Sequence, residues 1–197
     1  MSGIIGGNLG RSSGLVKSAA VSAGMTLVHS TDVSSGVANV TMDNIFTSTY
    51  KVYLIQGFDI VNAATAAGSF RVIDTAGNTD GGSNYSQVRQ YADHSGGTAT
   101  VDCSASASQM MMQENGAVDN LTGSFWGFFT NPLSTSHAKH FYGESCSQTG
   151  AHVHYTRFCN VWETTGTGCR GLVYQANFGI SVNVDHAYLR VYGLTES

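Results

Sequence analysis

The sequence predicts an all-β chain, an antiparallel β-sandwich of jelly-roll type behind an extended N-terminal arm. Three observations predict it. Period-2 alternation runs through the stretch from residue 50 to 60, where Tyr50, Val52, Leu54, Phe58 and Ile60 share one parity and Lys51, Tyr53, Gly57 and Asp59 the other, with Ile55 and Gln56 as the only breaks. Gly, Ser and Thr supply 66 of the 197 residues and Pro occurs once, which suits many turns between short strands. No segment carries the 3.6-residue period of a crossover helix between parallel strands, so the strands pair antiparallel.

Taken in order, residues 1–24 mix isolated apolar residues with Gly, Ser and two cations and hold no sustained period. They form the arm, and residues 25–197 the sandwich domain. Residues 25–31 and 37–42 read as short strands joined through the turn-prone DVSSG as a hairpin. The run 50–61 reads as a central strand, because its Gly57 and β-branched residues oppose a helix. After NAATAAG, residues 69–74 resume alternation with Phe70 and Val72 on one face. The Asn-, Asp- and Gly-rich residues 74–86 read as a long hairpin connection, and 86–91 as the returning strand. In 92–118 the pattern weakens; its Met110, Met111 and Met112 suit an irregular core. The run 121–130 puts Phe125, Gly127 and Phe129 on one face and Trp126 and Phe128 on the other, so both faces call for cover. Strands at 138–146, 152–162, 171–184 and 187–194 bring the total to nine or ten.

Composition excludes several functions. Charged residues are 11% of the chain, the net charge is −4 and the nine cations are scattered, so there is no footprint for nucleic acid. No apolar run approaches the roughly 18 residues of a membrane span, and no signal peptide opens the sequence, so membrane insertion is not expected and the product stays in the cytosol where it is made. Cys103, Cys146, Cys159 and Cys169 lack CxxC spacing and read as buried free thiols.

Motifs with chemical meaning are few. GTGCRG at 166–171 matches GxGxxG, but a β-branched run follows where a dinucleotide site needs a helix N-terminus, so it reads as a Gly-rich turn and no cofactor is expected. His152 and His154 stand two apart on a strand and share a face, a spacing at which two imidazoles can share a metal, with His137, His140 and Cys159 as further donors. Cupins use such a pair on a jelly roll, but Phe158 and Cys159 stand where their acid belongs, and a required metal is not expected. Asn78, Asp80 and Ser83 form part of a calcium-loop pattern without its terminal Glu, and read as a turn. There is no GxSxG, and Glu114, Glu144 and Glu163 are dispersed, so no catalytic set is expected.

Three stretches together, YKVYLIQGFDIVNAATAAGSFRVI followed by TDGGSNY, GSFWGFFTNPLSTSHAKHFYGES, and HAYLRVYGL, resemble a family of bacteriophage virion proteins common in marine phages, of tail-fibre or head-surface type. The resemblance covers about residues 25–194, and the SGIIG and GRSSGLVK segments of the arm resemble the attachment ends of such proteins. It implies a β-sandwich without catalytic residues, located in the virion as head decoration or tail fibre. The arm then binds other virion proteins through Ile4, Ile5, Leu9, Arg11, Leu15, Val16 and Lys17. A homotrimer is expected from the aromatic residues on both faces of 125–129, and a host-surface glycan is a further partner. The competing expectation is an enzyme on the same scaffold, either metal-dependent and cupin-like or glycan-hydrolysing.

Overall fold

The computed structural model describes residues 24–93, 99–112, 122–149, 152–177 and 181–195. Within them lie thirteen strands: β1 (Met25–Val33), β2 (Val40–Met42), β3 (Val52–Asn62), β4 (Gly68–Asp74), β5 (Tyr85–Asp93), β6 (Ala99–Ala107), β7 (Met110–Met111), β8 (Gly123–Thr130), β9 (Lys139–Thr149), β10 (His152–Trp162), β11 (Cys169–Asn177), β12 (Ser181–Val182) and β13 (Val184–Leu194). Among the described residues no helix is long and apolar enough to cross a membrane.

The strands form two antiparallel sheets. The larger runs β1-β13-β3-β8-β9-β10-β5-β6; the smaller runs β12-β11-β4-β7, with β2 also paired to β11. A jelly roll lies inside this arrangement. First strand pairs with last (β1 with β13), and the remaining pairs nest inside it: β2 with β11, β3 with β8, β4 with β7. Successive pairs fall in alternate sheets, as they do when a doubled ribbon is rolled up. The other four long strands, β9, β10, β5 and β6, widen the larger sheet beyond β8; they are called the extension here, and the eight nested strands the roll.

Aromatic side chains fill the roll. Phe70 of β4 is fully buried and meets the rings of Phe125, Phe141 and Tyr174 edge-on at 5.5–5.6 Å between centroids. Each such residue contributes about 1.5–3 kcal/mol by leaving water. The methionines 110–112 are all buried in this core, as expected of that triplet. β3 is an interior strand, between β13 and β8.

Its two faces, however, are the reverse of what its alternation suggests. Tyr53, Ile55 and Gly57 point into the core, while Val52, Leu54 and Phe58 point outward. Tyr53 tolerates burial because its hydroxyl reaches Thr47, accepting from the backbone N–H at 2.8 Å and donating to the carbonyl at 3.0 Å. Gly57 is required by Phe125, whose ring lies 2.2 Å from where a Cβ would stand. A bulge follows: Asp59 takes a φ of 53° and the ladder to β8 skips from Gly57 to Ile60, which turns Ile60 inward. Ile55 and Gln56, the apparent breaks, therefore sit on a regular strand.

Two expected hairpins are absent. β1 and β2 lie in different sheets, and so do β4 and β5, because consecutive strands of a roll alternate between layers. The connection 74–85 crosses between sheets and is fixed by Asp80. Its carboxylate accepts from Trp162 Nε1 at 2.6 Å, from the Gly82 N–H at 2.9 Å and from Asn84; its carbonyl accepts the Tyr85 hydroxyl at 2.9 Å. The three strands beyond the ten expected are β6 and β7, in the stretch 92–118, and β12, split from β11. The arm lies outside the described residues except for Gly24, which exchanges three hydrogen bonds with Thr195 at 3.1, 3.2 and 3.4 Å where β1 begins.

Candidate interaction surface

The outer face of the larger sheet carries the surface chemistry. Direct cross-strand partners share a face, and the registers connect one row across all eight strands: Leu27, Tyr192, Leu54, Phe128, Tyr142, Cys159, Val88 and Cys103. All eight are apolar or aromatic, over about 34 Å at ~4.8 Å per strand. Over the roll this face is partly screened: Leu54 is buried, and Phe58, itself exposed, stacks on Tyr188 at 5.3 Å with the Arg190 guanidinium over both rings, while Leu27 at the edge is exposed. Over the extension the row opens, with Tyr142 45% and Val88 53% exposed.

The next row holds Arg190, Gln56, Trp126, Glu144, Arg157, Gln90 and Val101. Arg157 Nε donates to Glu144 Oε1 at 3.0 Å and to the Tyr155 hydroxyl at 3.1 Å. Tyr155 separates two shallow depressions. One, about 200 Å³, lies toward Trp126, Glu144 and Cys146; the other, about 240 Å³, lies toward Gln90, Ala99 and Arg157. A third, about 320 Å³, is lined by Val88, Cys103, Ala105, Cys159 and Val161.

The inner face of the extension is mixed: Tyr85, Phe141, Phe158 and Trp162 join the core, and polar side chains stand among them. β7 is two residues long, so much of the backbone of Met111 and Met112 must find side-chain partners. Asn160 Nδ2 donates to the Met111 carbonyl at 3.0 Å, Ser145 Oγ to the Met112 carbonyl at 2.8 Å, and Gln87 accepts the Met111 N–H at 3.3 Å. Further along this face Arg89, nearly buried, pairs with Asp102.

His152 and His154 do project to one side of β10, the inner one, where His154 is buried. Of the other proposed donors, His140 and Cys159 lie on the outer face and His137 sits in the 131–138 connection, where its Nδ1 is 2.9 Å from Ser136 Oγ. The sheet itself separates them, and among the described residues no three His, Cys, Asp or Glu side chains form a metal-holding group. Both Asp80 carboxylate oxygens serve the loop. GTGCRG is a turn, with Gly166 at φ 86°, running directly into β11. Glu163 accepts from Ser86, remote from Glu144; Glu114 and the attachment residues Ile4, Ile5, Leu9, Arg11, Leu15, Val16 and Lys17 lie outside the described residues. All four cysteines are free, but only Cys169 is buried; Cys103, Cys146 and Cys159 are exposed, contrary to expectation. Their small apolar character disguised them as core, since alternation does not say which face is covered.

One feature had no signal in the sequence. Lys139 is fully buried, its ammonium donating to the carbonyls of Thr164 at 2.8 Å and Thr167 at 2.7 Å and lying 4.6 Å from the centre of the Trp162 ring. Burial lowers its pKa. It ties β9 to the 163–168 turn.

No family model matches this sequence, and no curated protein matches it. Among solved structures, the CBM2 module of the evolved Dit of Lactobacillus casei BL23 phage J-1 overlaps with a TM-score of 0.23 at 8% identity, covering 81% of this chain and 70% of that one. A likeness of that size carries no argument.

Proposed function

We propose that this chain is a non-enzymatic structural protein of a bacteriophage virion, anchored by its N-terminal arm and displaying its sandwich on the particle surface as a homotrimer. The observation that carries this reading is spatial. The three stretches that resemble phage virion proteins, far apart in sequence, supply β3, β8, β9 and β13, which are contiguous in the larger sheet, and β4 of the smaller sheet. The arm leaves from β1, the next strand outward, at the free end of that sheet, and Met25 and Leu27 at its root are more than half exposed. An edge strand with exposed apolar side chains is a natural place to pair with another chain. The jelly roll serves viral capsid proteins, lectins and cupins alike, so the fold alone does not choose among them. Against the enzyme reading, Glu144 is the single carboxylate among the described residues that line the Trp126–Tyr155 depression, where glycoside hydrolysis calls for two.

Deleting residues 2–20 tests the anchor. The truncated protein should keep its β-sheet circular dichroism and melting temperature yet be missing from purified particles by quantitative mass spectrometry. Incorporation at wild-type occupancy would overturn the reading.

A further inference from the structure

We propose that the outer face of the extension, β9-β10-β5-β6, is the surface through which two copies of this chain meet face to face; this rests on the homo-oligomer part of the preceding reading, and because a face that meets its own copy joins chains in pairs, the trimer uses a second contact. The inner side of these strands is fully engaged: Tyr85, Phe141, Phe158 and Trp162 join the core, and Ser145 and Asn160 serve the backbone of Met111 and Met112. Nothing within the described residues accounts for the outer side, where Tyr142, Cys159, Val88, Cys103 and Val101 stand exposed in adjoining register. These residues continue the apolar row that crosses the roll, where Leu54 is buried and Tyr192 and Phe128 are half-buried.

Size and charge both point to a second copy as the occupant. Four strands by nine residues present about 19 by 30 Å, or about 600 Å² per copy, and a pair of such faces removes about 1,200 Å², the lower bound for a stable specific interface. The centre of the face carries one cation and one anion, Arg157 and Glu144. Such a face is neutral and matches itself, because Arg157 of one copy can meet Glu144 of the next without leaving a charge unpaired. A depolarised, aromatic-rich centre of this kind is the composition of interface cores rather than of free surface.

The test uses the full chain and two measurements. In sedimentation velocity the wild type should associate at micromolar concentration, and the double variant Val88→Lys, Val101→Lys should sediment as a smaller folded species with unchanged circular dichroism, since both side chains point away from the core. Should that variant fail to fold, labelling of the wild type decides. Modification of Cys103 and Cys159 by a maleimide should be about tenfold slower at micromolar than at nanomolar protein. A wild-type oligomer that survives the double substitution unchanged in size, with both thiols reactive at every concentration, would overturn this face while leaving oligomerisation intact. A wild-type monomer would overturn both. Thiols that are protected in a monomer and released by deleting residues 2–20 would assign the face to the arm and overturn the proposal.

Discussion

In the roll, side chains facing the second sheet are apolar; in the extension, the covered side mixes the rings of Tyr85, Phe141, Phe158 and Trp162 with amides and hydroxyls, and the open side is apolar. Both are built of antiparallel strands, and β1, β13, β3 and β8 of the roll share one sheet with the extension, so strand geometry does not set the difference. What lies opposite does. Phe70, Phe125 and Tyr174 of the roll face one another across two complete ladders whose backbone groups are already paired, and only apolar contact remains to be made. The extension faces β7, too short to pair its own backbone, and Asn160, Ser145 and Gln87 supply what a neighbouring strand would have supplied.

The largest effect expected from this contrast is in the roll. Phe70→Ala removes a fully buried ring from contact with three others and leaves a cavity that two rigid sheets cannot close. Urea unfolding should show a loss of about 3–5 kcal/mol. A loss below about 1 kcal/mol would mean that the small sheet collapses onto the gap and that the roll is not packed as described.

In the extension the corresponding weak point is polar. Asn160→Ala deprives the Met111 carbonyl of its side-chain donor in a site without water access, at a cost of about 1–3 kcal/mol, because an unmet buried acceptor forfeits its solvation. Hydrogen exchange should quicken locally, at Met111 and Met112, before the roll is affected. If Asn160→Leu proved as stable as the wild type, the polar lining would have no role in seating β7, and the contrast between the two halves would fail.

Much of this was legible in the sequence, and the limits have physical causes. Alternation and turn composition identify the fold class and most strands, and 121–130 divides its faces as written, with Phe125 and Phe129 inside and Trp126 outside. β3 misleads because both of its faces are apolar: Tyr53 reads as the polar side until its hydroxyl is seen to reach Thr47, and the bulge at Asp59 shifts parity partway along. The turn-prone DVSSG and the Asn-, Asp- and Gly-rich 74–86 read as hairpin connections, but each carries the chain from one sheet to the other. The thiols and Val88 resemble core because only the third dimension reveals that nothing in the same chain covers them. The His152–His154 pair was correctly placed on one face; that its proposed companions lie across the sheet follows from β10 parity for Cys159 but from strand pairing for His140.

The smallest expected effect separates the two halves by pH. The roll keeps charge at its rim, where Asp43, after β2, receives Arg170 Nε at 2.8 Å and Nη2 at 2.5 Å, with both side chains about one-third exposed. The Arg170 hydrogen bonds hold the Asp43 carboxyl below its ordinary 3.8, helped by the Asn44 N–H. A depressed carboxyl stabilises the folded state above its unfolded pKa, and that contribution disappears as pH falls through the folded value. Because the pair is partly solvated, Asp43→Asn should cost at most about 1 kcal/mol at neutral pH. The gap between wild type and Asp43→Asn should then close as the pH is lowered below 3.8. The gap for Asn160→Ala, by contrast, should stay constant over the same range, since its hydrogen bond involves no titrating group. Thermal melts of the three proteins from neutral pH into acid decide this. An Asp43→Asn gap that persists undiminished in acid would show that Asp43 acts through neutral contacts, and that rim and interior polar groups do not differ in the way proposed.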